Sequence, residues 1–234
     1  MLNFKNTNII FSIVFLILIL LRINYTLPFL FFIILIIVYL TILFLGAKNV
    51  CSQFFLKSKC SSNDKSKIHL TFDDGPDVNT TPKILEVLKK HNHKATFFCI
   101  GHKIDKHPEI VKQIIEEGHK VGNHSFSHSN FFDFFGSKKI ISEIIRTNKL
   151  IKEITGKDCN IFRPPFGITN PHIALSIKKL KMEVIAWNIR SLDTVKSKEK
   201  VLQRIKNAKN GDIILFHDTK KQTIEILDEF LRFK

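Results

Sequence analysis

The chain has 234 residues, a formal net charge of +15, 44% hydrophobic residues and four cysteines. That length suits one domain with an appendage. The lysines are spread along predicted helix faces with no basic block interleaved with aromatics, which argues against a nucleic-acid partner, and the cysteines lack zinc-finger spacing.

Two apolar runs come first, residues 9–21 and 27–45, interrupted by Arg22, Asn24 and Pro28. Crossing a bilayer takes about 20 residues, which the second run supplies and the first supplies only by borrowing past Arg22, so one span or two are open. No small-residue cleavage site follows, so residues 1–47 read as a retained membrane anchor. Residues 48–66 are polar and read as a linker, in which Cys51 and Cys60 are free to pair or not. Lys48, Lys57, Lys59, Lys65 and Lys67 outnumber Lys5 and Arg22, a balance that leans towards a cytoplasmic domain.

From residue 67 to residue 234, strand-like and helix-like segments alternate. Ile68, Leu70 and Phe72 alternate with polar residues as in a half-buried strand, and Gly75-Pro76 turns the chain. A helix over 82–91 has Thr81 as its N-cap and Pro82 at its first position, and an apolar strand follows at 95–100. Next come a helix from Pro108 closed by Gly118, a strand at 120–122, and a long helix from Lys138 closed by Gly156. A strand at 160–162, a helix over 171–180 and a single strand at 182–188 lead to a helix over 198–209, a strand at 212–216 and a last helix from Gln222. Six strand-helix units predict an α/β fold, with a barrel of parallel strands and outer helices as the natural closure. Its chemistry collects at the carboxyl ends of the strands.

Those ends carry reactive side chains. Asp73 and Asp74 follow the first strand, and two adjacent carboxylates call for a cation on one or base work from the other. His124 and His128 follow the third, four residues apart, which on a helical turn puts both rings on one face. Two imidazoles and a carboxylate make the ligand set of a catalytic zinc. Arg163-Pro164-Pro165-Phe166-Gly167 follows the fourth, with a permanent cation able to hold Asp73 ionised. Trp187 to Asp193 follow the fifth, and Leu215-Phe216-His217 end the sixth.

Thr71–Pro76, His124–His128, Arg163–Gly167, Trp187–Asp193 and Leu215–His217, in this order, resemble the five motifs of the polysaccharide deacetylases, the NodB-homology enzymes of carbohydrate esterase family four. The resemblance implies a distorted (β/α) barrel of parallel strands with outer helices, and a catalytic domain over 67–234 that removes N-acetyl groups from an amino-sugar polymer such as peptidoglycan or a chitin-like chain. It implies Asp73 as general base, His217 as general acid, and Asp74, His124 and His128 as ligands of a divalent metal, commonly Zn2+, with Co2+, Ni2+ or Mn2+ as alternatives. Arg163 would orient Asp73, Asp193 would orient His217, and the Phe166 backbone N–H would bind the oxyanion, beside Pro165, Trp187 and Leu215. In the fourth motif Asn188 and Arg190 replace acids common in relatives and Thr194 replaces a tryptophan, which loosens the wall for the acetyl methyl. An O-acetyl glycan esterase or a non-catalytic glycan binder on the same fold are the alternatives. The expected partners are the acetylated polysaccharide and the membrane, with no obligate protein partner, and the chemistry places the domain in the periplasm or cell exterior.

Overall fold

The computed structural model describes residues 2–234. A hairpin of two helices, α1 (Phe4–Asn24) and α2 (Leu30–Lys48), precedes the α/β domain. Tyr39 Oη donates to Asn8 Oδ1 at 2.8 Å and Phe15 packs edge-on against Phe32, so the helices run antiparallel. Both are long and apolar enough to cross a membrane, and only Thr7, Phe32 and Gly46 among their residues are buried. A helix of a soluble core would bury a face; these leave their leucines and isoleucines exposed.

The domain contains seven strands: β1 (His69–Asp73), β2 (Ala95–Cys99), β3 (Lys120–Asn123), β4 (Ile161–Phe162), β5 (Glu183–Val184), β6 (Ile189–Arg190) and β7 (Ile213–His217). Their order is β5-β4-β3-β2-β1-β7-β6, with every pairing parallel. The helices between them are α3 (Thr81–Lys90), α4 (Gly101–Lys106), α5 (Pro108–Glu116), α6 (Ser137–Thr155), α7 (Pro171–Leu180) and α8 (Lys198–Ile205), and α9 (Lys221–Arg232) follows β7. The sheet curls into a half-barrel with helices outside.

Local chemistry accounts for the helix ends. At α7, Pro171 opens the helix and the Asn170 side chain accepts from the Ile173 N–H at 2.9 Å. At α6, Gly156 takes φ 70° and its N–H caps the Lys152 carbonyl. The alternation of β1 sorts its two faces. Leu70 and Phe72 join the core shared with Ile84, Leu85 and Leu88 of α3 and Leu227 of α9, and Thr71 and Asp73 face inward to Arg163. Phe72 stacks between Phe97 and Phe216, with centroids 4.9 and 5.8 Å away.

Two expectations require correction, and one element was not foreseen. The single strand predicted over 182–188 is two strands on opposite edges of the sheet, β5 beside β4 and β6 beside β7. The intervening residues 185–188 cross the open side of the half-barrel, so strand and helix do not alternate there and the six units become seven strands. The reason for the misreading is burial: Val184 and Ala186 are covered whether or not they belong to a ladder. His124 and His128 do not share a helical turn. They stand in a loop whose Ser125 and His128 have φ of 63° and 47°. Helix α4 carries no apolar period long enough to announce it.

Residues 48–66 lie along the domain: Val50 and Phe54 are buried, Cys51 and Cys60 form a disulfide, Lys59 bridges to Ile185 and Ser61 to Asp212. Replacing Phe72 with alanine empties the centre of the aromatic stack and is expected to cost about 3–5 kcal/mol in urea unfolding of the full chain. Phe134→Ala, at a side chain 80% exposed, is expected to change stability by less than about 0.5 kcal/mol.

Candidate active site

The carboxyl ends of β1, β3, β4 and β7, together with the loop after β6, converge on one mouth. Asp73 is the last residue of β1, and its ladder partner on β7 is His217. Successive strand residues face opposite sides, so Asp74 could not follow Asp73 into the mouth from a regular strand. Asp74 adopts φ 76°, which swings its carboxylate back, and Lys103 of α4 donates to the Asp74 carbonyl at 2.7 Å to hold the bend. Aspartate is one of the few residues that tolerate this region.

Asp74 Oδ1 lies 3.3 Å from His128 Nε2 and 3.6 Å from His124 Nε2. Ligand atoms of these three residues all fall within 4.8 Å of one another, so together they could hold a metal ion. The chemistry of the donors fits one. His124 Nδ1 donates to the Arg163 carbonyl at 2.8 Å, which leaves the Nε2 lone pair directed at the cluster. Burial would raise the Asp74 carboxyl, and the His124 and His128 rings overturn that and hold it well below the carboxylate range. Burial lowers His124, and the charges of Asp73 and Asp74 reverse this and pull it up; two carboxylates here attract a cation. His128, lowered first by burial and then by the His124 charge, sits at about 4 and is a neutral ring at neutral pH. The loop itself is pinned from α6, where Glu143 accepts from the Phe126 and Ser127 N–H groups.

Asp73 has different company. Arg163, fully buried, donates to Asp73 Oδ1 and to Thr71 Oγ1, each at 2.8 Å, and to the carbonyls of Ile185 and Ala186. Its guanidinium lies 4.1 Å from the Phe98 ring centroid and 5.4 Å from that of Trp187. Phe166 follows in the same loop with φ 60°; its ring meets His128 edge-on at 4.8 Å and is half exposed. Pro165 is buried, Trp187 packs over Gly167, and Leu215 sits buried opposite Thr71 on the inner face of the sheet.

On the other side of the mouth, Asp193 Oδ1 accepts from His217 Nδ1 at 2.8 Å, and Oδ2 accepts from the His217 backbone N–H at 2.8 Å. Burial opposes a charged His217, and the Asp193 carboxylate more than offsets it, so the imidazole is raised. Asp193 is in turn held ionised, burial being outweighed by His217 and by Thr223. All eleven residues expected from the motifs therefore line or border one mouth. Others outside the expected site set help hold them there, among them Thr71, Lys103, Ser191 and Thr223, the last two donating to Asp193 at 3.0 and 2.8 Å. Thr71 was legible as the inward residue of an alternating strand; the other three act across the fold and leave no local mark. Asn188 ties the start of β7 by donating to Asp212 and accepting from the Ile213 N–H.

Residues 61–185 match the family model for polysaccharide deacetylase. The chain is 35% identical over 167 residues to a peptidoglycan-N-acetylglucosamine deacetylase of Listeria monocytogenes, covering 70% of this chain and 35% of that protein's length. It is 34% identical to a peptidoglycan-N-acetylglucosamine deacetylase of Bacillus cereus, covering 72% of this chain and 82% of that one. The solved structure of the peptidoglycan deacetylase PdaC of Bacillus subtilis superposes with a TM-score of 0.66 at 34% identity, over 73% of this chain and 83% of that one. With more than half of its length matched and its half-barrel shared with solved members, the chain belongs to the polysaccharide deacetylase family.

Proposed function

We propose that this protein hydrolyses the acetamide C–N bond of N-acetylated amino sugars of the peptidoglycan type, releasing acetate. The carrying observation is the unequal company of two adjacent acids: Asp74 faces two imidazoles and Asp73 a buried arginine. In this reading Asp74, His124 and His128 hold a divalent cation, zinc being the ion that best suits imidazole and carboxylate donors. When bound, that ion supplies charge that acidifies a water and polarises the acyl oxygen. Asp73, oriented by its hydrogen bond from Arg163, takes the proton of the attacking water. The Phe166 backbone N–H donates to the developing oxyanion, a contribution of roughly 3–4 kcal/mol for such a donor. His217, aligned by Asp193, protonates the departing amine; each acid or base role is worth about 10²- to 10⁴-fold. Pro165, Trp187 and Leu215 shape the wall beside the acyl group.

The hairpin of α1 and α2 anchors the domain in a membrane, and the domain faces the cell exterior. The Cys51–Cys60 disulfide supports that side, because such bonds persist in oxidising compartments.

Three outcomes check this reading. The full chain in detergent is expected to release acetate from N-acetylglucosamine oligomers or peptidoglycan, to stop with chelator and to recover with zinc; no acetate from any acetylated glycan overturns it. Asp73→Asn is expected to keep bound zinc, measured by elemental analysis, and lose about 10²-fold or more in turnover, whereas His124→Ala loses the metal; normal zinc content in both variants contradicts the assignments. The third is a pH profile. Asp193 raises the His217 pKa, so the protonated acid survives to higher pH in the parent. Asp193→Asn removes the largest opposition to burial, leaving only the smaller pull of Asp73 and Asp74, and the alkaline limb of kcat is expected to move to lower pH. An unmoved limb would show that His217 is not the titrating acid.

A further inference from the structure

The membrane hairpin does not hang from a loose tether. At its open end Phe4 N–H donates to the Phe54 carbonyl at 2.9 Å, and Phe4 packs against Phe54 and Phe55. Gly46, near the end of α2, is so closely covered by Phe54 that a Cβ there would lie 2.4 Å from the ring. Ser52 Oγ donates to the Gly46 carbonyl at 3.1 Å. The next carbonyl of α2, Ala47, accepts from the Thr169 N–H at 3.0 Å. Thr169 is three residues beyond Phe166, in the loop after β4 that also carries Arg163 and Pro165. Both open ends of the hairpin are thus clamped to the domain, and one of them is clamped to the active-site loop.

This fixes the height of the mouth above the bilayer. At about 3.8 Å per residue, Phe166 lies within about 15 Å of the Ala47 carbonyl. The polar zone on each side of the hydrocarbon is roughly 5–8 Å deep, so the reacting groups sit at or just above the lipid headgroups. Asn170, beside Thr169, also donates to the Asp133 carbonyl at 2.6 Å, and Phe131 and Phe134 flank Asp133 with 68% and 80% of their surface exposed. The rim on this side is therefore apolar, as a rim resting against headgroups would be.

Building on the deacetylase reading and on the membrane-spanning hairpin, we infer that the substrate is an N-acetylated amino sugar held in the same bilayer by its own lipid anchor. A sugar far out in a wall polymer lies beyond a site docked this way; a sugar joined directly to a lipid carrier lies at its height. The carrier could be a polyprenyl phosphate or a diacylglycerol, both of which present the sugar at the headgroup level.

The test uses the full chain in lipid vesicles with one N-acetylglucosamine oligomer in four forms: free in buffer, joined directly to a polyprenyl phosphate, joined directly to a diacylglycerol, and joined to a diacylglycerol through a flexible poly(ethylene glycol) spacer. A spacer about five times longer than the direct link dilutes the sugar about tenfold at any one height, so a directly anchored form is expected to release acetate about tenfold faster than the spacer-borne form. The faster of the two direct forms identifies the carrier. Inserting a long Gly/Ser segment after Lys48 together with Phe4→Ser, Phe54→Ser and Phe55→Ser removes the aromatic clamp and frees the domain to rise; it is expected to bring the ratio near one while leaving turnover of the free oligomer unchanged. Equal rates on direct and spacer-borne sugars in the parent chain overturn this inference alone. No acetate from any form, the free oligomer included, overturns the deacetylase reading beneath it.

Discussion

The buried guanidinium of Arg163 is the interaction on which the rest of the mouth depends. It has no exposed surface, and it donates to four groups: a carboxylate, a hydroxyl and two carbonyls. They come in two pairs from two parts of the frame. Thr71 and Asp73 belong to β1, and Ile185 and Ala186 belong to the stretch that crosses from one sheet edge to the other. A half-barrel has no ladder across its open side, so something else must tie that crossing to the strand ends, and Arg163 does so. Desolvating such a charge is costly and works only with the lone pairs around it in place, so loss of Asp73 would strand a buried cation at a cost of about 3–5 kcal/mol. The same pairing that holds the frame fixes the orientation of the Asp73 carboxylate at the mouth, which is what the proposed reaction asks of it.

Local backbone conformation sorts the remaining groups. Eight non-glycine residues among those described have positive φ, and five of them, Asp74, Ser125, His128, Phe166 and Leu192, lie in loops at the strand carboxyl ends. Each turns a chain that is leaving a strand back towards the mouth. Side chains in this region carry strain of order 1–3 kcal/mol, and it persists only where surrounding bonds over-determine it. Here they do: Lys103 ties Asp74, Asn123 Oδ1 accepts from the Ser125 N–H, and Ser191 and Thr223 brace Asp193 just after Leu192.

This division explains what could be read from the sequence. Helix ends were legible where glycine or proline acts on its own neighbours, as at Gly118, Gly156 and Pro171. The site residues were legible because a parallel α/β chain delivers every strand end to one face, so chemistry appears at regular intervals. The route by which those residues meet was not. The spacing of His124 and His128 suggests a helical turn, and two left-handed residues achieve the same convergence without one. The run from Met182 to Trp187 looks like a strand because it is buried, and its burial serves Arg163. Ser191 and Thr223 are ordinary hydroxyls whose role depends on a contact with Asp193 that only the folded chain makes.

The antiparallel hairpin changes how the charge balance bears on orientation. Its amino end and the domain lie on one side, so Lys5 joins Lys48, Lys57 and Lys59 there, while Arg22 alone stands by the turn. Counted this way the positive-inside bias strengthens, and it opposes an exterior domain. The disulfide opposes that bias directly. Cys51 and Cys60 close a short loop at the root of α2, in the segment that clamps hairpin to domain, and a reducing compartment would keep them as thiols. A basic count is a statistical preference acting during insertion, whereas a disulfide persists only where the surroundings are oxidising. The second constraint bears on the finished molecule, and it is the one on which the proposed exterior placement rests.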